Sequence, residues 1–345
     1  MVRSRFFWVV VASLGAGASA LGNVSASSSS GFSCLNEDGD AVDYWYVMKG
    51  PNGADSWILE DGASSFKAGE AMTSSKNAVV RTLAQVYGSL PSSHAYTMYN
   101  DETDEGKKSE TRGHSKGVVL FDEDQGFWLI HSLPRYPARV SSGYAGLPDD
   151  TWGQSFVCVT LASSKLDDVG EQLMLHWPQH YDSSISDDMK AAAPNFASTL
   201  DDTKSTKTES KKSFSTLGSR SFVHYAKSAE CDCELYEDII AKDLGALRVE
   251  SWMNGETTNK IPSSCKSDGF DEDVEDVDVV TIGDGNWTET KDHSKWAVDS
   301  KGTACVGDIN RQYSQAKRGG GSLCYDKADV FAAFDKIAAS VANPC

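Results

Sequence analysis

Positive charge is scarce in this sequence. Its 345 residues carry 32 Lys and Arg against 50 Asp and Glu, a formal net charge of −18 at pH 7. Phosphate binding draws on Lys and Arg, so the charge argues on its face against a nucleic-acid partner, but a local basic strip can outweigh the average and net charge alone does not decide the matter. All seven His are expected to charge near pH 5, which would make the field less negative. Long apolar runs are missing too: beyond the N-terminus nothing approaches the roughly 20 residues that span a bilayer, so no retained membrane anchor is expected. Metal-binding spacing is also absent. Cys231-x-Cys233 leaves a single residue between its thiols, and no His stands at a matching second position. The acidic run Asp271 to Asp278 lacks the Gly turn and bidentate Glu of a calcium loop and reads as a solvated edge. No metal and no cofactor are expected.

What is present describes a chain that has passed through an oxidising compartment. Arg3 and Arg5, the apolar run Phe6 to Leu14 and the small residues Ala18-Ser19-Ala20 read as a signal peptide over 1–20. A Ser-rich flexible spacer is expected over 21–33. Eight cysteines suit the same compartment, but their number alone permits 105 pairings. Asn23-Val24-Ser25 and Asn286-Trp287-Thr288 are acceptor sequons for N-glycans. Nine Trp imply substantial cores or stacking surfaces.

Periodicity predicts an α/β chain. Strands are expected over Asp43 to Lys49, Gly117 to Phe121, Phe127 to Ile130, Ser155 to Leu161, Ser221 to Tyr225 and Val277 to Ile282. The second and third should form a hairpin across the turn Asp122 to Gly126. Helices are expected over Ala78 to Val86, Leu235 to Leu247 and Lys327 to Val341, with Val169 to Trp177 of mixed character. Residues 198–219 are rich in Thr, Ser, Lys and Asp and poor in large apolar residues. They read as an exposed linker or long loop between an N-terminal part, 34–197, and a C-terminal part, 220–345.

One tripeptide occurs once on each side of that linker: His114-Ser115-Lys116 and His293-Ser294-Lys295. Taken singly, either is as easily a surface His beside a turn. Two imidazoles meeting across an interface suit phosphodiester hydrolysis: one, neutral, attacks phosphorus, and the other, protonated, supplies a proton to the leaving oxygen. A Lys two residues on shares an extended face with its His and would hold the non-bridging oxygens. His176 and His180 stand four apart, but Trp177-Pro178 interrupts the helix that a metal pair would need, so both are read as surface residues. His131, at the hairpin's end, is read as a half-buried His that makes its own hydrogen bonds.

The surrounding blocks carry a resemblance. His114-Ser-Lys-Gly-Val-Val-Leu-Phe-Asp122, Gly126-Phe-Trp-Leu-Ile-His131-Ser-Leu-Pro134, Trp152-Gly-Gln154-Ser-Phe-Val-Cys158 and Asp292-His-Ser-Lys-Trp296 resemble the deoxyribonuclease II signature. So do Cys305-Val-Gly-Asp308-Ile-Asn310-Arg311, the stretch Gln315-Ala-Lys317-Arg318-Gly-Gly-Gly321 to Cys324, and Trp45-Tyr-Val-Met-Lys49-Gly-Pro51. The resemblance implies two phospholipase D-like α/β lobes related by pseudo-twofold symmetry, with mixed β-sheets flanked by helices. It implies an acid endodeoxyribonuclease that cuts DNA without metal to 3′-phosphate and 5′-hydroxyl ends, in a lysosome or outside the cell. On this analogy His114 is the nucleophile that becomes a phosphohistidine and His293 the acid, with the reverse assignment open. Lys116 and Lys295 bind the scissile phosphate. Asn310 takes the second-half polar position, and Gln154 or Ser155 its first-half counterpart. Arg311, Lys317 and Arg318, beside three Gly, are candidates for DNA contact. Asp122 and Asp299 depart from the offset of the superfamily's Asp and receive no catalytic role. The same analogy pairs Cys34–Cys158, Cys265–Cys345 and Cys305–Cys324, leaving Cys231 and Cys233, too close for an easy mutual bond in extended chain, without an assignment. Alternatives of other kinds are a secreted non-catalytic DNA-binding or toxin-like effector and a lipid-directed phosphodiesterase. Whether the chain forms a homodimer is left open.

Overall fold

The computed structural model describes residues 31–253 and 257–345. The proposed signal peptide and Asn23 lie outside them. In the first half, eight strands form one sheet: β1 (Tyr44–Lys49), β2 (Ser56–Glu60), β3 (Lys67–Ala68), β4 (Ala95–Tyr99), β5 (Gly117–Phe121), β6 (Gln125–His131), β7 (Gln154–Ala162) and β8 (His180–Ile185). Their spatial order is β8-β4-β5-β6-β7-β1-β2-β3, antiparallel throughout. The second half builds a nine-stranded sheet from β9 (Glu209–Ser215), β10 (Ser221–Lys227), β11 (Leu247–Glu250), β12 (Val274–Ile282), β13 (Gly285–Thr288), β14 (Trp296–Asp299), β15 (Thr303–Gly307), β16 (Gly320–Asp326) and β17 (Ala338–Ala342). Its order is β9-β10-β16-β15-β14-β11-β12-β13, with β17 beside β12, and only β11 and β12 run parallel.

Five strands recur with the same connectivity. In the first sheet β4-β5-β6-β7-β1 lie side by side, and in the second β11-β14-β15-β16-β10 do so. Each half therefore presents one hairpin, β5–β6 or β14–β15, with its His-Ser-Lys segment just before the first strand. This is the mixed, pseudo-symmetric phospholipase D-like α/β architecture. The two sheets share apolar packing: Tyr44 stands 5.5 Å from Phe222 and 5.4 Å from Tyr325 between ring centroids, and Trp128 meets Phe214 at 5.5 Å. Helices Leu166–His176 and Ala328–Ile337 contribute Val169, Leu173, Val330 and Phe334 to the same core.

Several expectations need correction. The stretch 198–219 is not wholly loop, because Glu209–Ser215 is the edge strand β9. Its polar sequence hides a period-two pattern in which Phe214 is buried while Glu209, Lys211 and Ser213 face solvent, as suits an edge. The acidic run does not stay in solvent either: β12 begins at Val274, and Asp276 is buried beside Arg311. The spacer ends sooner than 33, since Ser33 is buried and its N–H donates to Gln85. The segment Val169 to Trp177 belongs to one helix, Leu166–His176, stopped by Trp177 in the left-handed region at φ 48°. His176 is consequently buried, not at the surface. The C-terminal helix ends at Ile337 and turns into β17. The helix expected over Leu235 to Leu247 is a π turn, Tyr236–Ile240, running into Ala241–Leu244, and Leu247 already starts β11.

The disulfides are Cys34–Cys158, Cys265–Cys345, Cys305–Cys324 and Cys231–Cys233. The last pair closes because the chain there is not extended. A tight turn over Ala229–Cys231 leads into Asp232 at φ 49°, bringing the two Cα atoms to 5.1 Å.

Candidate active site

Both His-Ser-Lys segments cross from their own half to the other. The His114 N–H donates to the Gly319 carbonyl at 2.8 Å, and the His293 N–H donates to the Gly153 carbonyl at 2.8 Å. The Lys295 N–H donates to Ser155 Oγ at 3.1 Å. Each motif is thus laid against the strand start, β7 or β16, of the opposite sheet, and the two lysines meet in one centre. Burial and the neighbouring Lys116 charge hold the Lys295 ammonium down at about 7, with Asp292, Asp101 and Asp308 opposing.

The two imidazoles sit in different surroundings. At His114, Nδ1 lies 2.6 Å from the Asp308 backbone carbonyl. A carbonyl only accepts, so Nδ1 carries the proton and Nε2 keeps its lone pair. Nε2 is 3.6 Å from Asp101 Oδ2, while Asp101 Oδ1 is 2.5 Å from Lys116 Nζ and Oδ2 is 3.3 Å from Arg318. Burial pushes the Asp101 carboxyl up, but Lys116, His114 and Arg318 outweigh it and hold it well below the usual range. Burial, and then Lys116, holds His114 well below the ordinary imidazole value, with Asp101 opposing. At His293 the neighbours are aromatic. Trp152 stacks flat on the ring at 4.7 Å and 9°, and Trp252 crosses it at 4.4 Å. Burial lowers His293 to about 2, helped by Lys295, Lys116 and Lys49. Each imidazole therefore feels the lysine of the opposite motif.

Of the other expected residues, Gln154 and Ser155 are buried at the junction. Gln154 Oε1 accepts from Ser132 Oγ at 2.5 Å, and Ser132 Oγ in turn accepts the Ser155 N–H at 3.0 Å. Asn310 is buried two residues beyond Asp308, its Oδ1 without a hydrogen-bond partner among the described residues. Arg311 is not placed to meet DNA. It is fully buried, paired with Asp276 at 2.6 Å and donating to the Val274 and Pro262 carbonyls. Arg318 is buried as well and ties Asp101 to the carbonyls of Ser109, Arg112 and Gly113, so it braces the His114 loop instead of lining a surface. Only Lys317 of the three is exposed. His131 is buried, not half-buried, between Phe156 and Tyr136, with both ring nitrogens unpartnered among the described residues. Asp122 and Asp299 each accept backbone N–H groups at the turn of their hairpins.

Sequence reasoning missed Asp101, the Asp308 carbonyl, Trp152 and Trp252. Trp152 and Asp308 lay inside recognised blocks, whereas Asp101 and Trp252 lay in none. Strand register is their only signal. Tyr99 pairs with Gly117 and Glu250 with Trp296, so Asp101 and Trp252 occupy equivalent positions beyond the strand ends, each beside its own half's motif. Among the described residues no three His, Cys, Asp or Glu side chains are grouped to hold a metal ion.

The family model for deoxyribonuclease II matches residues 33–345. The chain is 31% identical to cell-death-related nuclease 7 of Caenorhabditis elegans over 339 residues, 90% of this chain and 88% of that protein. It is 31% identical to deoxyribonuclease-2-alpha of Rattus norvegicus over 334 residues, covering 91% and 94% of the two chains. Against plancitoxin-1 of Acanthaster planci it is 30% identical over 341 residues, covering 91% and 93%. A match of that extent, on a fold that carries one His-Ser-Lys segment per half into a common centre, leaves one conclusion: the chain belongs to the deoxyribonuclease II family.

Proposed function

We propose that this chain is an acid endodeoxyribonuclease that hydrolyses DNA through a phosphohistidine, without metal, leaving 3′-phosphate and 5′-hydroxyl ends. The observation that carries the reading is the crossed anchoring of the two motifs, His114 on Gly319 and His293 on Gly153, with each imidazole under the field of the other motif's lysine. His114 Nε2, kept unprotonated because Nδ1–H is spent on the Asp308 carbonyl, attacks phosphorus. The bond from phosphorus to O5′ breaks, and O5′ takes the proton of His293. Water then attacks phosphorus, the bond from phosphorus to His114 Nε2 breaks, the water's proton passes to neutral His293, and His114 is restored. Lys116 and Lys295 hold the non-bridging oxygens.

Acid is needed because His293 is neutral in the free enzyme. A bound diester brings negative charge between the two lysines, offsets their repulsion of His293 and lets it take a proton at mildly acid pH. Gln154, Ser155 and Asn310 are buried polar groups around the phosphate, and Lys317 is the surface cation for the flanking backbone. The lobes are 34–197 and 220–345, with the edge strand β9 of the second sheet contributed by the stretch between them. The four disulfides fit a route through the secretory pathway to a lysosome or the exterior, with residues 1–20 removed and the exposed Asn286 glycosylated.

The test is plasmid digestion at pH 5 in chelator with wild type, His114→Ala and His293→Ala, followed by end-group analysis and acid-labile phosphate trapping. The reading requires cutting by wild type alone, trapped phosphohistidine in His293→Ala and none in His114→Ala. Trapping in the opposite variant reverses the two roles. DNA binding without cutting by wild type would make the chain a non-catalytic effector.

A further inference from the structure

Two lysines outside the His-Ser-Lys motifs occupy matching places in the two halves. Lys49 ends β1 and Lys227 ends β10, both with 0% exposure. Lys49 pairs in register with Gln154, the residue after Gly153, and Lys227 with Gly320, the residue after Gly319. Among the described residues neither makes a close ion pair. Each ammonium instead donates all three of its protons to main-chain carbonyls, all three of them for Lys227 and two for Lys49 lying in the segment that enters the neighbouring strand. Lys49 Nζ reaches the oxygens of Gly50, Asp150 and Trp152, each at 2.8 Å. Lys227 Nζ reaches those of Gln315 at 3.0 Å, Ala316 at 2.8 Å and Arg318 at 2.7 Å. The third carbonyl is in both cases the one immediately before the glycine that accepts a catalytic histidine's N–H.

Burying a lysine at a loop is costly in desolvation, and an apolar residue of similar length would pack there without it. An ammonium with three carbonyl partners does what an apolar residue cannot: it turns three peptide planes toward one point and fixes the carbonyl that follows them. We infer that Lys49 and Lys227 are paired positioning residues that act crosswise, Lys49 setting His293 through Trp152-Gly153 and Lys227 setting His114 through Arg318-Gly319. Lys49 also acts on Trp152 itself, the indole that lies flat on His293. The inference rests on the reading of His114 and His293 as the catalytic pair.

The experiment uses Lys49→Met and Lys227→Met in the full chain, with the imidazole resonances of His114 and His293 assigned from the alanine variants. Lys49→Met is expected to move the His293 signal and leave His114, and Lys227→Met the reverse. In both, kcat at pH 5 should fall at least tenfold with KM within about threefold, because the phosphate-binding lysines stay in place. Lys→Gln variants, which keep two N–H donors, should recover part of kcat. If both variants move the same imidazole, or neither does while only Tm drops, the crosswise assignment is wrong. If neither the Met nor the Gln variants fold, the lysines serve folding and the proposal fails. The resonance readout does not depend on turnover. Full activity in the histidine variants would remove the catalytic reading while leaving the structural pairing to be judged separately.

Discussion

Asp101 is the carboxylate around which the first imidazole, Lys116 and Arg318 gather. Removing its charge leaves two cations, Lys116 and Arg318, facing one another beside the His114 imidazole in a buried space, the costly kind of change. Asp101→Asn is expected to lower kcat by about a hundredfold, on the order of losing one preorganised electrostatic partner. Since Asp101 opposes the fall in the His114 pKa, its loss should drive that imidazole lower still and carry the His114 limb of the pH–rate profile to lower pH. A profile that keeps its limbs while its height falls would refute this. Arg311 and Lys317 make a second contrast. Arg311→Ala strands Asp276 without its partner and should cost about 3–5 kcal/mol of stability in denaturant titration. Lys317→Ala should leave stability unchanged and weaken DNA binding with a shallower salt dependence. The reverse pattern would return Arg311 to the DNA surface. At this scale the sequence disclosed the His and Lys of each motif, because a repeated local spacing is visible along the chain. Asp101 stayed hidden because its proximity to Lys116 is made by the pairing of β4 with β5, which no local pattern encodes.

Elements were legible where apolar runs were unbroken. The hairpin β5–β6, the buried β7 and the core strand β1 could be read almost to their ends, since each is closed by Gly, Asp or Pro turns. The edge strand β9 escaped because its strand character lies in alternation among Ser, Lys and Glu, a pattern that also describes a solvated loop. The tight approach of elements at the site was equally invisible, although glycines mark it. A Cβ at Gly319 would lie 2.3 Å from the His176 carbonyl oxygen and 2.8 Å from its carbon, both backbone atoms. Nothing there can yield without moving the end of helix Leu166–His176 or the loop that holds His114. Gly319→Ala should therefore lower kcat by about a hundredfold, the usual cost of an ångström of misplacement, and reduce Tm as well. Gly53→Ala, where a Cβ would meet nothing within 4 Å, serves as the control and should change neither. Equal behaviour of the two variants would show that the crossing tolerates more slack than its distances imply.

For the whole molecule the controlling variable is pH. Charging of all seven His near pH 5, expected from composition, does not occur in the folded chain: burial lowers His131 and His176 to about 3, and His224 well below its ordinary value. A histidine whose folded pKa is depressed contributes stability that is present above about 6.5 and is lost as pH falls toward the folded value. Buried carboxyls run the other way. Burial raises Asp308 and Glu234 to about 7 and Asp276 to about 6, so their contribution is full below the unfolded value near 4 and disappears as pH rises through the folded one. Between pH 4 and 7 the two sets have opposite slopes, which lets a chain with so many buried ionisable groups hold its fold in mild acid. The balance can be broken from one side. His176→Met removes a group that stays neutral when folded but takes up a proton near pH 6.5 when unfolded. The stability of wild type relative to this variant should then fall by about 2 kcal/mol between pH 7 and pH 5, with the sign set by a pKa that drops on folding. Denaturant titrations of both chains at the two pH values measure it, and a difference that stays constant would mean that His176 takes up its proton inside the fold, where the ring of His224 lies 5.2 Å away.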